Sequence, residues 1–206
     1  KAELTLIQRV FKTAIKEWRY GILLNPVANI ELPKSAKPRT RRLVSNELFI
    51  LISHAEKQRN KYISTIIQFA VETGMRRSEI LKLTWNDVNL DTGIASLYDT
   101  KNGDDRHIPL TKTAIQLLSN LSQSSEFVFP ISANCLRLAW ERCRNKSNIK
   151  GLRFHDLRHE AVSRFFEMGL SVPEVALISG HKDVRQLFRY THLKPENLIA
   201  KYSNIF

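Results

Sequence analysis

Apolar residues recur at helical spacing along most of this chain, and the breaks in the pattern separate a short leading piece from a longer block. Over residues 4–20, Ile7, Phe11, Ala14, Ile15 and Trp18 fall on one helical face, and Gly21 suits a helix stop. That face has little to pack on within residues 1–33, which predicts the last helix of a domain whose other parts lie outside this sequence. A new pattern starts at Ser45, which fits an N-cap, with Leu48, Leu51, Ile52 and Ala55 at helical spacing. Ile63, Ile66, Ile67, Ala70 and Val71 predict a second helix up to Gly74, and residues 78–83 a short third. Residues 93–98 and 106–110, separated by the turn Lys101-Asn102-Gly103-Asp104-Asp105, read as a β-hairpin with Lys101 near its tip. Helices are expected at 111–121 and 133–147, with a short strand Phe127-Val128-Phe129 between them. Residues 155–168 form another, with Leu157, Ala161, Val162 and Phe165 inward. Ser171-Val172-Pro173-Glu174 combines capping-box spacing with a proline in the first turn, so it opens the next helix. Residues 184–190 and 195–203 complete a mainly α fold with a small antiparallel β-sheet, an α+β domain.

With 206 residues and 43% hydrophobic content, the chain buries a sizeable core, most simply one full domain plus a smaller piece. The stretch from Pro33 to Arg42 is proline-broken, basic and free of acidic residues. It predicts a linker at 34–42 between a piece at 1–33 and a domain at 43–206. Two readings of it stay open: Lys37, Arg39, Arg41 and Arg42 grip a phosphate backbone, or the segment is a solvated tether. The 32 Lys and Arg outweigh 20 acidic residues, and the resulting charge of +12 favours a polyanionic partner such as nucleic acid. Charge alone does not separate that class from other basic proteins. No apolar run approaches the roughly 20 residues of a spanning helix and no signal peptide is visible, so a cytoplasmic protein without membrane contact is expected. Cys135 and Cys143 lie eight apart in an expected helix, a spacing that fits reduced structural thiols rather than a disulfide framework or metal knuckle. The chain starts at Lys1 with no Met before Met75, so it is expected to be a fragment of a longer protein.

Six residues carry the chemistry. Arg76, in Gly74-Met75-Arg76-Arg77-Ser78-Glu79, stands between a glycine break and a helix start, where a guanidinium can make a two-pronged contact with phosphate oxygens. His155 and Arg158 project from one helix face at i, i+3 and join a second phosphate clamp to a group titrating near neutrality. Gly180-His181 follows an apolar helix and places a histidine on a loop. Tyr190 sits nine residues on, where Leu187 and Phe188 are the obvious core candidates. With Lys101, this set supplies a nucleophile, two phosphate clamps and three proton-handling groups, suited to cutting and rejoining a phosphodiester. Each residue alone has an ordinary structural explanation; the combination in this order has none as simple.

At this point the chain resembles the catalytic domain of a tyrosine recombinase, the phage-integrase family. Thr73-Gly74-Met75-Arg76-Arg77-Ser78-Glu79-Ile80 resembles the family's first arginine box, with Met75 for the commoner leucine. Thr100-Lys101-Asn102-Gly103, continuing to Arg106-His107-Ile108-Pro109-Leu110, resembles its hairpin lysine motif. Phe154-His155-Asp156-Leu157-Arg158-His159 matches the His-x-x-Arg box, Ser179-Gly180-His181 the Gly-His box with Ser for leucine, and Arg189-Tyr190-Thr191-His192 the nucleophile box. The resemblance covers about residues 41–193, and residues 1–33 resemble the end of the family's N-terminal core-binding domain.

The resemblance implies that Tyr190 attacks a DNA phosphate, forms a 3′-phosphotyrosyl bond and frees a 5′-hydroxyl. A tyrosine of pKa near 10 is ionised only about one part in a thousand at pH 7, a deficit of roughly 4 kcal/mol, so a base and a positive field must offset it. Arg76 and Arg158 then bind the oxygens whose charge grows, His155 is the base, Lys101 the general acid for the leaving oxygen, and His181 a further hydrogen-bond donor. Glu79 either buttresses the site or pairs with an outer arginine. No cofactor and no metal is implied, since no carboxylate cluster for two metals and no phosphate-binding loop for ATP is present. The expected partner is double-stranded DNA at specific recombination sites, with a homo-oligomer, a tetramer, assembled on it at the nucleoid of a bacterial or phage system. The rival expectations are a type IB topoisomerase-like enzyme and a catalytically idle DNA-binding regulator.

Overall fold

The structure is a computed structural model, and it describes residues 2–22, 24–31, 39, 41–98 and 105–191. The chain divides into two compact units, Lys1–Arg39 and Thr40–Phe206. In the first, helix α1 (Ala2–Lys16) is amphipathic, with Ala14 buried and Phe11 and Ile15 partly covered. The expected helix to Tyr20 stops four residues early. Arg19 takes the left-handed conformation (φ 51°) and the Tyr20 N–H reaches back to the Ala14 carbonyl at 3.1 Å, the closing role expected of Gly21. Trp18, placed on the apolar face by its spacing, lies past that stop and is exposed.

In the second unit the central element is α3 (Tyr62–Thr73), buried nearly all round through Ile63, Ile66, Ile67, Phe69, Ala70 and Val71. A helix apolar on most of its circumference, with Thr65, Gln68 and Glu72 partly exposed, must be covered by several neighbours. It packs against α2 (Glu47–Glu56), α5 (Lys112–Ser119), α6 (Ala133–Lys146) and α7 (Asp156–Glu167). Each such side chain removed from water contributes about 1.5–3 kcal/mol, so α3 is the anchor on which the site is built. Gly74 ends it with φ 63°, and α4 (Arg77–Lys82) follows at once. The expected caps of α8 (Val172–Ser179) are present: Glu174 accepts from the Ser171 N–H at 2.6 Å, and Pro173 lies in the first turn.

Three strands form an antiparallel sheet in the order β1 (Val88–Asn89), β2 (Ile94–Leu97), β3 (Arg106–Pro109). The expected hairpin is β2 with β3, in a register that pairs Ala95 with Ile108 and Leu97 with Arg106. Its turn residue Lys101 lies outside the described residues.

Four expectations need correction. Helix α2 starts two residues after Ser45, which takes φ 34°; Asn46 is the N-cap, and Glu47 turns back to accept from the Val44 N–H at 2.9 Å. Phe127-Val128-Phe129 is no strand but a single bridge from Phe127 to Thr84, with Val128 and Phe129 buried as plug residues. Residues 184–190 contain only a 3₁₀ turn, Val184–Gln186, in place of a helix. Phe188 is exposed whereas Leu187 is fully buried, because in so short a turn only one of two neighbouring apolar residues can face inward. The helix expected at 195–203 lies outside the described residues. Both cysteines are free, and burial pushes the Cys143 thiol up beside the Gln58 amide.

Candidate active site

Arg76 stands at the N-cap of α4 with extended backbone (ψ 148°), where the first turn leaves donors unsatisfied. Glu79 fills that need by accepting from the Arg76 N–H at 2.7 Å, and the same carboxylate takes the Arg76 guanidinium at 2.7 Å. The other Nη of Arg76 donates to the Gly180 carbonyl at 3.1 Å. Arg158 comes from the first turn of α7 and is 4% exposed. It donates to the carbonyls of Gly74 and Ser179, each at 2.6 Å. These close α3 and α8, so the guanidinium bridges the negative ends of two helices. Burial and the nearby Arg76 lower its pKa to about 10, which still leaves it cationic at neutral pH.

His181 follows the left-handed Gly180 and sits with Nδ1 2.6 Å from Ser179 Oγ and 3.5 Å from Arg158. Ser179 gives its proton to the Val175 carbonyl, so the ring Nδ1 is the donor to that hydroxyl and Nε2 is left as the reactive nitrogen. Burial and then Arg158, Arg76, Arg189 and Arg106 push the His181 pKa down to about 3. His155 stands at the open rim; packing on its inner side and the charge of Arg158 hold it below its ordinary value. A cavity of about 350 Å³ opens beside it, lined by Ala70, Met75, Arg77, Phe154, His155 and Arg158. A larger groove of about 800 Å³, between Gln58–Tyr62 and Asn120–Ser122, contains none of the six residues.

Tyr190 is buried at 8% exposure, and its hydroxyl has two partners. Arg189 donates to it at 2.7 Å while lying 4.8 Å over the ring, and His159 Nδ1 forms a short hydrogen bond with it. The His159 and Tyr190 rings stack at 5.7 Å, and His155 meets His159 edge-on at 4.9 Å. Burial raises the tyrosine pKa, although the Arg189 hydrogen bond and charge oppose it. Burial, His155 and Arg189 lower His159 to about 4. Four guanidiniums, from Arg76, Arg106, Arg158 and Arg189, thus surround a site whose nearest carboxylates are Glu79 and Asp156. Such a surplus is built to take up an anion.

Residues 41–197 match the phage integrase family. The chain belongs to that family. It is 40% identical over 203 residues to a shufflon-specific DNA recombinase of Escherichia coli, covering 98% of this chain and 52% of that protein. It is 35% identical over 192 residues to an integrase/recombinase of Haemophilus influenzae, covering 89% of this chain and 62% of that protein. The chain therefore spans only about half to two thirds of these relatives. The fold matches a lambda integrase dimer bound to a core site with a TM-score of 0.73 at 21% identity, over 91% of this chain and 71% of that one.

Of the six residues expected in this phage integrase site, the structure gathers Arg76, His155, Arg158, His181 and Tyr190; Lys101 lies outside the described residues. The ring touching Tyr190 is His159, not His155, because one further turn of α7 separates the rim from the tyrosine. Of the two alternatives for Glu79, the structure shows bracing of Arg76; the second arginine it pairs with, Arg106, is buried rather than an outer one. Three contributors were overlooked: His159, Arg189 and Arg106. The signal for the last was in the strand, where an arginine shares the inward alternation of Ile108. Among the presumed backbone grips, Arg41 pairs with Glu47 at 2.5 Å, and Arg42 spans Glu160 at 3.1 Å and Glu167 at 2.5 Å. Arg39 is described, and Lys37 lies outside the described residues. No described helix is long and apolar enough to cross a membrane.

Proposed function

We propose that this chain is the strand-transfer part of a site-specific tyrosine recombinase that cuts and rejoins double-stranded DNA through a 3′-phosphotyrosyl intermediate. The observation that carries the reading is the buried Tyr190 hydroxyl, held between a histidine and an arginine beside two further braced arginines. Tyr190 Oη bonds to phosphorus, the bond from phosphorus to the 5′-oxygen breaks, and Lys101 protonates that oxygen. Arg76 and Arg158 hold the non-bridging oxygens, and their backs are already satisfied by carbonyls and Glu79, so little reorganisation is needed when charge grows there. His181 reaches the same phosphate through Nε2, which must first gain a proton.

The tyrosine proton passes to histidine, with His159 in contact and His155 behind it at the rim. In the resting site that transfer is uphill: burial, His155 and Arg189 hold the ring at about 4, while burial pushes the phenol above its ordinary value. The pair therefore rests as neutral tyrosine and neutral histidine. Burial is the first cause of that depression and the arginine charges add to it; a phosphate arriving among the arginines offsets the second part and so shifts the histidines toward accepting the proton.

Residues 1–33 serve as the end of a core-binding domain, 34–42 as its linker, and the unit from 43 onward as the catalytic domain. Lys37 and Arg39 are assigned to the DNA backbone, whereas Arg41 and Arg42, expected there too, brace the catalytic unit through Glu47, Glu160 and Glu167; the working form is a tetramer on paired sites. The relative named as a DNA recombinase and the neighbour solved on a core site support the DNA-binding part of this reading.

The test is covalent capture. The chain is incubated in EDTA with a library of randomised duplexes, denatured, and the DNA that stays attached is sequenced. A common sequence ending at the attachment point is expected; absence of any attached DNA, or attachment only with Mg²⁺, contradicts the proposal.

A further inference from the structure

We propose that Arg106 is a positioning residue for strand transfer, fixing Arg76 through a shared carboxylate and fixing the turn before His181 through its fit against Gly180. The inference rests on the reading of Arg76 and His181 as phosphate contacts. Arg106 opens β3 opposite Leu97, and strand alternation turns it to the inner face with Ala95 and Ile108. At 6% exposure it is too deep to be an outer DNA contact. A charge at that depth is costly unless paired. Here a two-pronged pair does it, with Nη1 at 3.2 Å and Nη2 at 2.8 Å from the two oxygens of Glu79. Its Nε is buried without a hydrogen-bond partner, and among the described residues the hydrogen bonds of this side chain run to that carboxylate.

Glu79 is therefore shared by two guanidiniums, which leaves one positive charge in surplus beside the phosphate site. Burial works to raise the Glu79 pKa, and the charge of Arg106 leads the influences that bring it down. Without Arg106 the carboxylate has Arg76 alone, and it neutralises the charge that Arg76 would lend to the phosphate. The second contact is steric. A Cβ added to Gly180 would stand 2.9 Å from Arg106 Cζ and 3.2 Å from its Cδ, so only glycine lets that turn lie on the guanidinium. The Gly180 carbonyl faces Arg76. The turn that leads to His181 is thus clasped between both arginines.

The experiment uses the duplex recovered by covalent capture, nicked so that cleavage is irreversible, with Arg106→Gln and Arg106→Lys. Arg106→Gln is expected to slow the single-turnover cleavage rate constant about 100-fold while duplex affinity stays within about threefold. Arg106→Lys keeps the charge but loses the fork, and should slow it about tenfold. In a Glu79→Gln background, Arg106→Gln should cost little more, since the two act as a unit. A protein that had only lost stability would show a smaller reactive fraction at an unchanged rate constant. The proposal is overturned by an unchanged rate constant, by a loss confined to affinity, or by a full further loss in the Glu79→Gln background. If circular dichroism shows Arg106→Gln unfolded, Arg106→Lys decides by the same rate constant: slowing beyond about threefold supports the role, and less overturns it. Wild-type chain that forms no adduct would refute the recombinase reading, whereas unslowed variants beside an active wild type refute this inference alone.

Discussion

Arg158 and Tyr190 share one site and are both almost fully buried, yet they are held by different means. Arg158 projects from a helix into the carbonyl ends of two others, and its neighbour Arg76 is gripped by a carboxylate and a carbonyl. Tyr190 lies just beyond a three-residue turn, in a segment where Val184 and Phe188 are exposed, and is anchored by Leu187 and by side-chain contacts from His159 and Arg189. The cationic half is therefore fixed before DNA arrives, while the nucleophile hangs on few contacts. That division suits a reaction in which the field must be ready in advance and the tyrosine must later reach a phosphorus atom.

The sharpest way to break the contrast is Arg158→Lys. It keeps the charge but cannot bridge the Gly74 and Ser179 carbonyls, so cleavage should fall about 10²–10³-fold. One orphaned carbonyl should also cost about 1–3 kcal/mol in denaturant unfolding. A variant as active and as stable as wild type would show that the cationic half is not preorganised.

Acid should act on both halves through the histidines. His159 is held at about 4 and His181 at about 3, against an ordinary 6.5. Because the folded values are lowered, the unfolded chain binds more protons below pH 6.5. Stability is thus complete above 6.5 and is lost as pH falls from there toward 4, by at most about 1.4 kcal/mol per pH unit for each ring. Thermal melts from pH 7 to pH 5 should show the decline, and His159→Gln should flatten it. A melting temperature independent of pH across that range would contradict the burial of these rings as neutral groups.

Much of the contrast was legible in the residue pattern. The cationic half depends on helix ends, and the strong periodicity of α3 and α7, the glycine stop at Gly74 and the capping box at Ser171 mark those directly. The tyrosine half depends on a short irregular segment. There, spacing could not tell Leu187, which is buried, from Phe188, which is not. Phe127–Phe129 misled for a related reason: an apolar trio fills a core whether or not a neighbouring strand pairs with it. Arg106, His159 and Arg189 stood in the quoted motifs, but their roles follow from depth and register, which the order of residues does not give.

The smallest expected effect concerns the segment leading into the catalytic unit. Arg41 and Arg42 are paired with carboxylates, one of them the buried Glu160 that also receives Arg164 and the Leu43 N–H. Replacing both with Ala should lower stability by about 1 kcal/mol. Replacing Lys37 and Arg39 should instead flatten the dependence of log affinity on log salt by nearly one unit per phosphate released. Equal salt slopes for the two double variants would remove the distinction between a bracing pair and a gripping pair.

Which atom carries the DNA decides whether Tyr190 is the nucleophile. Covalent complexes formed in EDTA are digested with trypsin and nuclease, and the modified peptide is sequenced by mass spectrometry, alongside the same reaction with Tyr190→Phe. The expected result is a nucleotide 3′-phosphate on Tyr190 and no adduct in the variant, with duplex binding retained. Attachment at any other residue, or an adduct that persists in Tyr190→Phe, would contradict it.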